Sequence, residues 1–433
     1  MADTIYALSS GGLPSGVAVI RLSGPESWLI AKKLVGDLPE PGFLKLANMR
    51  DPSNDAVLDK GMLVCFQAPK SFTGEDVVEL HCHGSRATVQ AIFRVLDGFE
   101  NCRMAEAGEF SRRGFENGKF DLTEIEGLSD LIAAETEAQR VLALRQSGGE
   151  LRSLFEGWRE GLIRSRALTE AELDFSDEED VPGGVSDQVW SEISRLHVDI
   201  ACHLDDGRAG EIVRDGYRIV LAGPPNAGKS SLLNALARRD VAIVTPEAGT
   251  TRDVIDVSID LDGFKVTLSD TAGIRRTDNV VEREGISRAT RAMQQADKVL
   301  WLQPVDQDED KDRPENAVLV RSKSDLPGAE AAGVGLFVNT VAENGLDGLL
   351  SYLKQELINY TGGFESSIST RQRHRRALMA VQGCLLESLD GSREIELRSE
   401  HLRRAAEHLG RITGRIDVED LLDVIFSEFC VGK

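Results

Sequence analysis

Tyr217-Arg-Ile-Val-Leu-Ala222 runs without a gap into Gly223-Pro-Pro-Asn-Ala-Gly228-Lys229-Ser230, and then into Ser231-Leu-Leu-Asn-Ala-Leu-Ala237. The first segment reads as a short apolar strand, the last has the spacing of a helix, and the turn between them fits GxxxxGK[ST]. A glycine-rich turn between a strand and a helix directs several backbone N–H groups at one point, and the positive end of the helix adds to that field. The combination predicts a P-loop in an α/β domain. Lys229 would reach the β- and γ-phosphates of a nucleoside triphosphate, and the Ser230 hydroxyl would bind the magnesium ion bridging them. Asn226, Ala227, Gly228 and Ser231 complete the stretch expected to surround the phosphates.

Working outward, the next polar loop is Thr245-Pro-Glu-Ala-Gly249-Thr250-Thr251-Arg252-Asp253. Thr245 and Thr250 are assigned to the nucleotide, and Thr251 would bring a second hydroxyl to magnesium when this loop closes. Strands are predicted over Val254 to Asp260 and Phe264 to Ser269, joined by a tight hairpin at Asp262-Gly263. Asp270-Thr271-Ala272-Gly273 then falls at the carboxyl end of a strand, where open α/β sheets bind ligands. There Asp270 would hold magnesium through water, and the Gly273 N–H would sense the γ-phosphate. Further strands are expected over Lys298 to Leu302, Ala317 to Arg321 and Leu336 to Asn339, with a helix from Leu346.

Ser322-Lys323-Ser324-Asp325 supplies base choice. Asp325 can accept from the guanine N1–H and amino group, whereas adenine would leave that carboxylate unsatisfied. Guanine nucleotide switches normally carry Asn-Lys-x-Asp here, and Ser322 replaces the asparagine. The later base-contacting segment, usually Ser-Ala-Lys, corresponds to Asn339-Thr340-Val341. Both departures predict weak nucleotide binding. Ras-like GTPases also place a water-positioning glutamine after Asp-Thr-Ala-Gly, but this chain has Ile274, whose apolar side chain cannot orient water. Another group must do so, and Glu282 is one of several downstream carboxylates able to act through a water.

With 433 residues the chain is long enough for two to four domains. Its formal charge of −22 and isoelectric point near 4.8 argue against broad capture of nucleic acid or anionic membrane. The basic run Arg371-Gln-Arg-His-Arg-Arg376 reads either as a local RNA patch or as a solvated linker. Six scattered cysteines without a CxxC pair suit free thiols in a reducing cytoplasm. No run approaches the ~20 apolar residues of a membrane span, and no signal peptide opens the chain. A cytoplasmic protein without a membrane partner is therefore expected.

The chain divides into an α/β N-terminal domain (1–118), a helical domain (119–210 and 371–433) and an inserted P-loop domain (211–370). Asp174-Phe-Ser-Asp-Glu-Glu-Asp180, followed by Pro182-Gly-Gly184, predicts a helix end and a turn. The tail helices are expected to break at Gly391, Gly410 and Gly414. In the N-terminal domain Ser71-Phe-Thr-Gly-Glu-Asp76 precedes Val77-Val-Glu-Leu-His81, and His81 and His83 would share one face of a strand. Two such histidines begin a metal site, but no further His or Cys follows at ligand spacing.

Gly223-Pro-Pro-Asn-Ala-Gly-Lys-Ser230, Ala248-Gly-Thr-Thr-Arg-Asp253, Asp270-Thr-Ala-Gly273, Glu282 with Gly285-Ile286, and Cys430-Val-Gly-Lys433 together resemble the MnmE (TrmE) family of tRNA-modifying GTPases. Ser71–Asp76, Gly108-Glu-Phe110 and Asn117-Gly-Lys119 extend the resemblance to the amino-terminal half. It implies an N-terminal tetrahydrofolate-binding and dimerisation domain, a central helical domain and an inserted Ras-like G domain. A 5-formyltetrahydrofolate or related one-carbon folate would bind at Arg21, Glu79, Lys119 and Lys433, with Arg and Lys suiting its glutamate tail and a carboxylate its pterin. The resemblance also implies potassium beside the P-loop, held by Asn226 with Thr245, Glu247 and Thr250, and assigns water positioning to Glu282. Cys430 matches a cysteine proposed to take part in the tRNA chemistry; a reactive thiol and a buried structural one remain equal readings. The implied activity is GTP hydrolysis, stimulated by K+ and requiring Mg2+, that drives modification of C5 of the tRNA wobble uridine (position 34). A homodimer would act with the flavin-dependent partner MnmG in a heterotetramer. Two alternatives stand beside this: a ribosome-assembly GTPase of the Era or Der type, and a guanine nucleotide-binding scaffold that does not hydrolyse GTP.

Overall fold

The computed structural model describes residues 3–174, 185–239, 242–243, 256–270, 291–307, 310, 312–326, 333–362, 371–416, and positions 422, 425, 426, 429 and 432. The chain forms two compact units. One comprises residues 1–129, 147–159 and 407–433, the other 130–146 and 160–406. Apart from Asp174, the acidic run and turn expected over 174–184 lie outside the described residues.

The first unit is built on a six-stranded sheet of order β3-β4-β5-β2-β1-β6, formed by β1 (Thr4–Leu8), β2 (Ser15–Ser23), β3 (Lys45–Arg50), β4 (Val57–Phe66), β5 (Val77–Gly84) and β6 (Cys102–Met104). Alternation along these strands separates two faces. Tyr6, Ile20, Leu22, Val78 and Leu80 face the main core with Ile30 and Leu34 of α1 (Ser27–Val35) and Ile92 and Leu96 of α2 (Arg86–Leu96). Ile5 and Ala7 face the other way and pack with Phe110 of α3 (Glu109–Glu116). The unit also takes in Leu122 and Ile125 of α4 (Leu122–Ala133), which cluster with Leu422, Ile425, Phe426 and Phe429.

In the second unit the sheet order is β12-β11-β10-β7-β9-β8, parallel throughout except for the antiparallel β8–β9 edge. Its strands are β7 (Tyr217–Ala222), β8 (Asp256–Leu261), β9 (Phe264–Asp270), β10 (Lys298–Pro304), β11 (Val318–Ser322) and β12 (Leu336–Phe337). The central strands are apolar on both faces because helices cover both. Ile219, Leu221, Leu300 and Leu302 are fully buried with Leu232, Leu233 and Leu236 of α8 (Lys229–Ala237) and Leu349 and Leu353 of α9 (Asp347–Thr361). The remaining helices are α5 (Glu137–Ser147), α6 (Glu150–Asp174), α7 (Val185–Asp215), α10 (Gln372–Leu389) and α11 (Ile395–Thr413).

Three expectations are corrected. The predicted strand over 336–339 is only two residues long, because the Asn339 N–H leaves the ladder and donates to Gly345 O. Gly410 does not break the tail helix, and α11 runs through it to Thr413. Its missing side chain makes room instead, since a Cβ there would lie 2.7 Å from Ile416 Cδ1. The basic run 371–376 is not a linker. It opens α10, with Arg371 donating to Asp130 at 2.8 Å and Arg375 to Leu204 O at 2.9 Å.

The β8–β9 hairpin turns at Asp262 and Gly263, whose φ angles of 54° and 87° give the two positive-φ residues of the expected tight turn. Its tip packs on α5, the turn before it and α7: Gly263 O accepts from Ala138 N, Lys265 pairs with Glu135 at 2.5 Å, and Phe264 joins Ala138, Leu142 and Val213.

Candidate nucleotide site

β7 delivers the chain to the carboxyl edge of the sheet, and Gly223 lets it leave. Its φ is +132°, and a Cβ would lie 2.2 Å from Leu302 O on β10, so only glycine fits. Asn226 and Gly228 also have positive φ, 61° and 94°, which curls the loop and gathers successive N–H groups. α8 then starts at Lys229 with its first-turn N–H groups free of intrahelical partners. The buried Lys229 ammonium donates to Gly223 O at 2.9 Å and Pro224 O at 2.8 Å, lying across the start of the loop.

Parallel pairing sets Asp270 opposite Leu221, level with the end of β7. Ser230 Oγ donates to Asp270 Oδ2 at 2.7 Å, so two of the three residues expected at magnesium meet across forty positions. A hydroxyl beside a carboxylate, next to a phosphate-type loop, is a donor set that fits a hard divalent cation. The tetrad expected to read the base begins at the end of β11: Ser322 is buried, Lys323 takes a positive φ of 56°, the Ser324 N–H donates to Val338 O, and Asp325 is exposed. Asn226, Ser230 and Ser231 are exposed as well, while Ala227 is buried.

The substitution at Ser322 acquires a structural meaning that its residue type did not reveal. Its Oγ donates to Ala227 O at 2.6 Å, joining the end of β11 to the P-loop. Asn339 is likewise engaged, its Oδ1 accepting from the N–H groups of Val341 and Ala342. Thr245, Glu247, Thr250, Thr251, Thr271, Ala272, Gly273 and Glu282 lie outside the described residues, as do Cys430 and Lys433.

In the first unit, Arg21 and Glu79 are cross-strand partners on the face opposite α1 and α2, and they form an ion pair at 2.9 Å. The Arg21 guanidinium also lies over the rings of Phe72 and Phe110. Lys119 Nζ donates to Pro69 O at 2.9 Å. Gly432, beside the carboxyl end, is fixed by Ser9 Oγ donating to its carbonyl at 2.8 Å.

Arg113, which sequence reasoning passed over, organises the Ser71–Asp76 segment. Its side chain is 10% exposed and bonds Asp3 at 2.8 Å, Glu109 at 3.1 Å and Glu75 at 3.2 Å. Burial pushes the Glu109 and Asp3 carboxyls up, but the bonds from Arg103 and Arg113 outweigh it and hold both below their ordinary values. The only signal was an arginine on an otherwise amphipathic helix.

His83 pairs with Asp59 and His81 lies 3.4 Å from Glu79; among the described residues no cluster of three or more His, Cys, Asp or Glu side chains is arranged to hold a metal. Burial pushes the Cys65 and Cys82 thiols up to about 11 and Cys102 up to about 12, which leaves them poor nucleophiles. Among the described residues no helix is long and apolar enough to cross a membrane.

Residues 122–430 match the family described as "MnmE helical domain", and residues 4–119 match "GTP-binding protein TrmE N-terminus". The chain belongs to the MnmE family of tRNA modification GTPases. The tRNA modification GTPase MnmE of Rhizobium johnstonii is 51% identical over 438 residues, covering 100% of this chain and 99% of that protein. The MnmE proteins of Rhizobium meliloti and Brucella canis are 52% and 49% identical, each covering 100% of this chain and 99% and 98% of the relative. The expected fold class and GTPase activity, with GTP as the nucleotide, hold for this MnmE-family chain.

Proposed function

We propose that this GTPase hydrolyses GTP to GDP and phosphate, with potassium stimulation, to drive modification of C5 of the wobble uridine at position 34 of tRNA. It would do so as a homodimer with the flavin-dependent partner MnmG in a heterotetramer. The observation that carries the nucleotide half is the meeting of Ser230 and Asp270 beside the P-loop. Lys229 and the loop N–H groups bind and orient the phosphates, and Ser230 with Thr251 would hold magnesium, which when bound offsets charge on the β- and γ-phosphates. Asn226, with Thr245, Glu247 and Thr250, would hold the potassium ion, adding positive charge between the same phosphates. Ile274 cannot orient the attacking water, so that task falls to Glu282. Asp325 reads the guanine edge.

The folate part of the proposal rests on Arg21, Glu79, Lys119 and Lys433. The Arg21–Glu79 pair supports it by holding a guanidinium and a carboxylate together on one face. Cys430 is assigned to the tRNA chemistry.

The test is GTP turnover in potassium and in sodium for the wild type, Glu282→Ala and Asn226→Ala. Glu282→Ala should bind GTP and lose most turnover, while Asn226→Ala should lose the potassium response. Equal, negligible wild-type rates in both salts would overturn the hydrolytic reading.

A further inference from the structure

We infer that Ser322 sets the position of the P-loop and, in doing so, gives up contact with the guanine imidazole edge, so this G domain reads its base without N7. The inference rests on the guanine reading of Asp325. Ser322 is 4% exposed, and its backbone is held in register by β10, opposite Pro304, with its carbonyl accepting from the Val305 N–H at 3.1 Å. The hydroxyl lies 2.6 Å from Ala227 O, and because a carbonyl cannot donate, the serine proton is the one in the bond.

Two consequences follow from elementary chemistry. In a trans peptide the C=O and the next N–H point in opposite directions, so pinning Ala227 O fixes the direction of the Gly228 N–H. That N–H belongs to the loop that surrounds the phosphates, which makes Ser322 a positioning residue for phosphate binding. A hydroxyl also has a single proton. The asparagine usual at this position carries two N–H donors and could bond the loop with one while offering the other to guanine N7, an acceptor. Ser322 has already committed its only proton. The replacement therefore preserves the tie to the P-loop and loses a donor toward the base.

The experiment is calorimetric titration of the full chain, in magnesium, with GDP and with 7-deaza-GDP, which lacks only the N7 acceptor. Wild type should bind the two within about twofold of each other, since no hydrogen bond is lost. Ser322→Ala, which leaves a buried carbonyl unsatisfied, should weaken both by about five- to fiftyfold and keep their ratio. Ser322→Asn should favour GDP over 7-deaza-GDP by about three- to tenfold. A wild-type chain that binds GDP more than about fivefold tighter than 7-deaza-GDP would overturn the inference while leaving the guanine reading intact. Unchanged affinity in Ser322→Ala would overturn the positioning role. A wild-type chain that binds no guanine nucleotide would overturn the underlying reading itself, and the inference with it.

Discussion

Replacing Gly223 and Gly228 separately by alanine distinguishes steric from conformational demand in the P-loop. Both have positive φ, so either alanine brings backbone strain of about 1–3 kcal/mol. Their surroundings differ. At Gly228 the nearest atom to a new Cβ is Ser322 Cβ, 3.8 Å away, an ordinary contact. At Gly223 the new Cβ would stand 2.2 Å from Leu302 O, a backbone atom in the middle of the sheet. β7 and β10 would have to separate by about 1 Å there, adding about 1–3 kcal/mol of overpacking. Gly223→Ala should thus destabilise the nucleotide-free second unit by about 2 kcal/mol more than Gly228→Ala, a difference of about thirtyfold in the opening equilibrium. Native-state hydrogen exchange at Leu300 and Leu302 reads that opening directly. Equal losses of protection, or a greater loss in Gly228→Ala, would refute the steric argument.

Arg113→Met should destabilise the first unit by about 1–3 kcal/mol, less than a fully buried ion pair because Arg103 still serves Asp3 and Glu109. Since Asp3 and Glu109 are held below their ordinary values, their contribution is complete above about pH 4.5 and is lost as pH falls through the depressed folded values. Acid unfolding followed by circular dichroism should therefore be shallower in the variant, and parallel curves would count against the network. Gly410→Ala gains about 1 kcal/mol of helix propensity but meets Ile416 Cδ1, an overpacking cost of about 1–3 kcal/mol. Thermal unfolding should show the loss relieved in Gly410→Ala with Ile416→Val, which removes that methyl. Lys265→Met should loosen the hairpin tip on α5 by about 0.5–1 kcal/mol, seen as faster exchange of the Ala138 N–H. Unchanged exchange would assign the contact to Phe264 packing and the Gly263–Ala138 hydrogen bond.

The P-loop was legible because its strand, turn and helix are contiguous, so local periodicity and glycine spacing describe one object. The Asp262-Gly263 hairpin was legible for the same reason. What escaped were contacts between distant positions. Ser322 reads as a degraded asparagine until Ala227, 95 residues earlier, is seen beside its hydroxyl. Arg371 looks like part of a charge run, yet its partner is Asp130, 241 residues away. Gly410 misled because glycine lowers helix propensity, while a close neighbour can require it. The Arg21–Glu79 pair depends on strand register, which alternation alone does not set.

The clustering of Leu122 and Ile125 with Phe426 and Phe429 bears on the timing of biosynthesis. From Leu122 to Phe426 is 304 residues (426 − 122) of chain, and at about 5–20 residues per second a ribosome needs roughly 15–60 s to make them. The second unit, which ends at Ala406, is synthesised entire before that interval closes. Throughout it, the apolar side of Leu122 and Ile125 lacks its later partners, a window in which nascent chains are open to chaperones and to one another. The first part of the protein to be made is thus among the last to be finished.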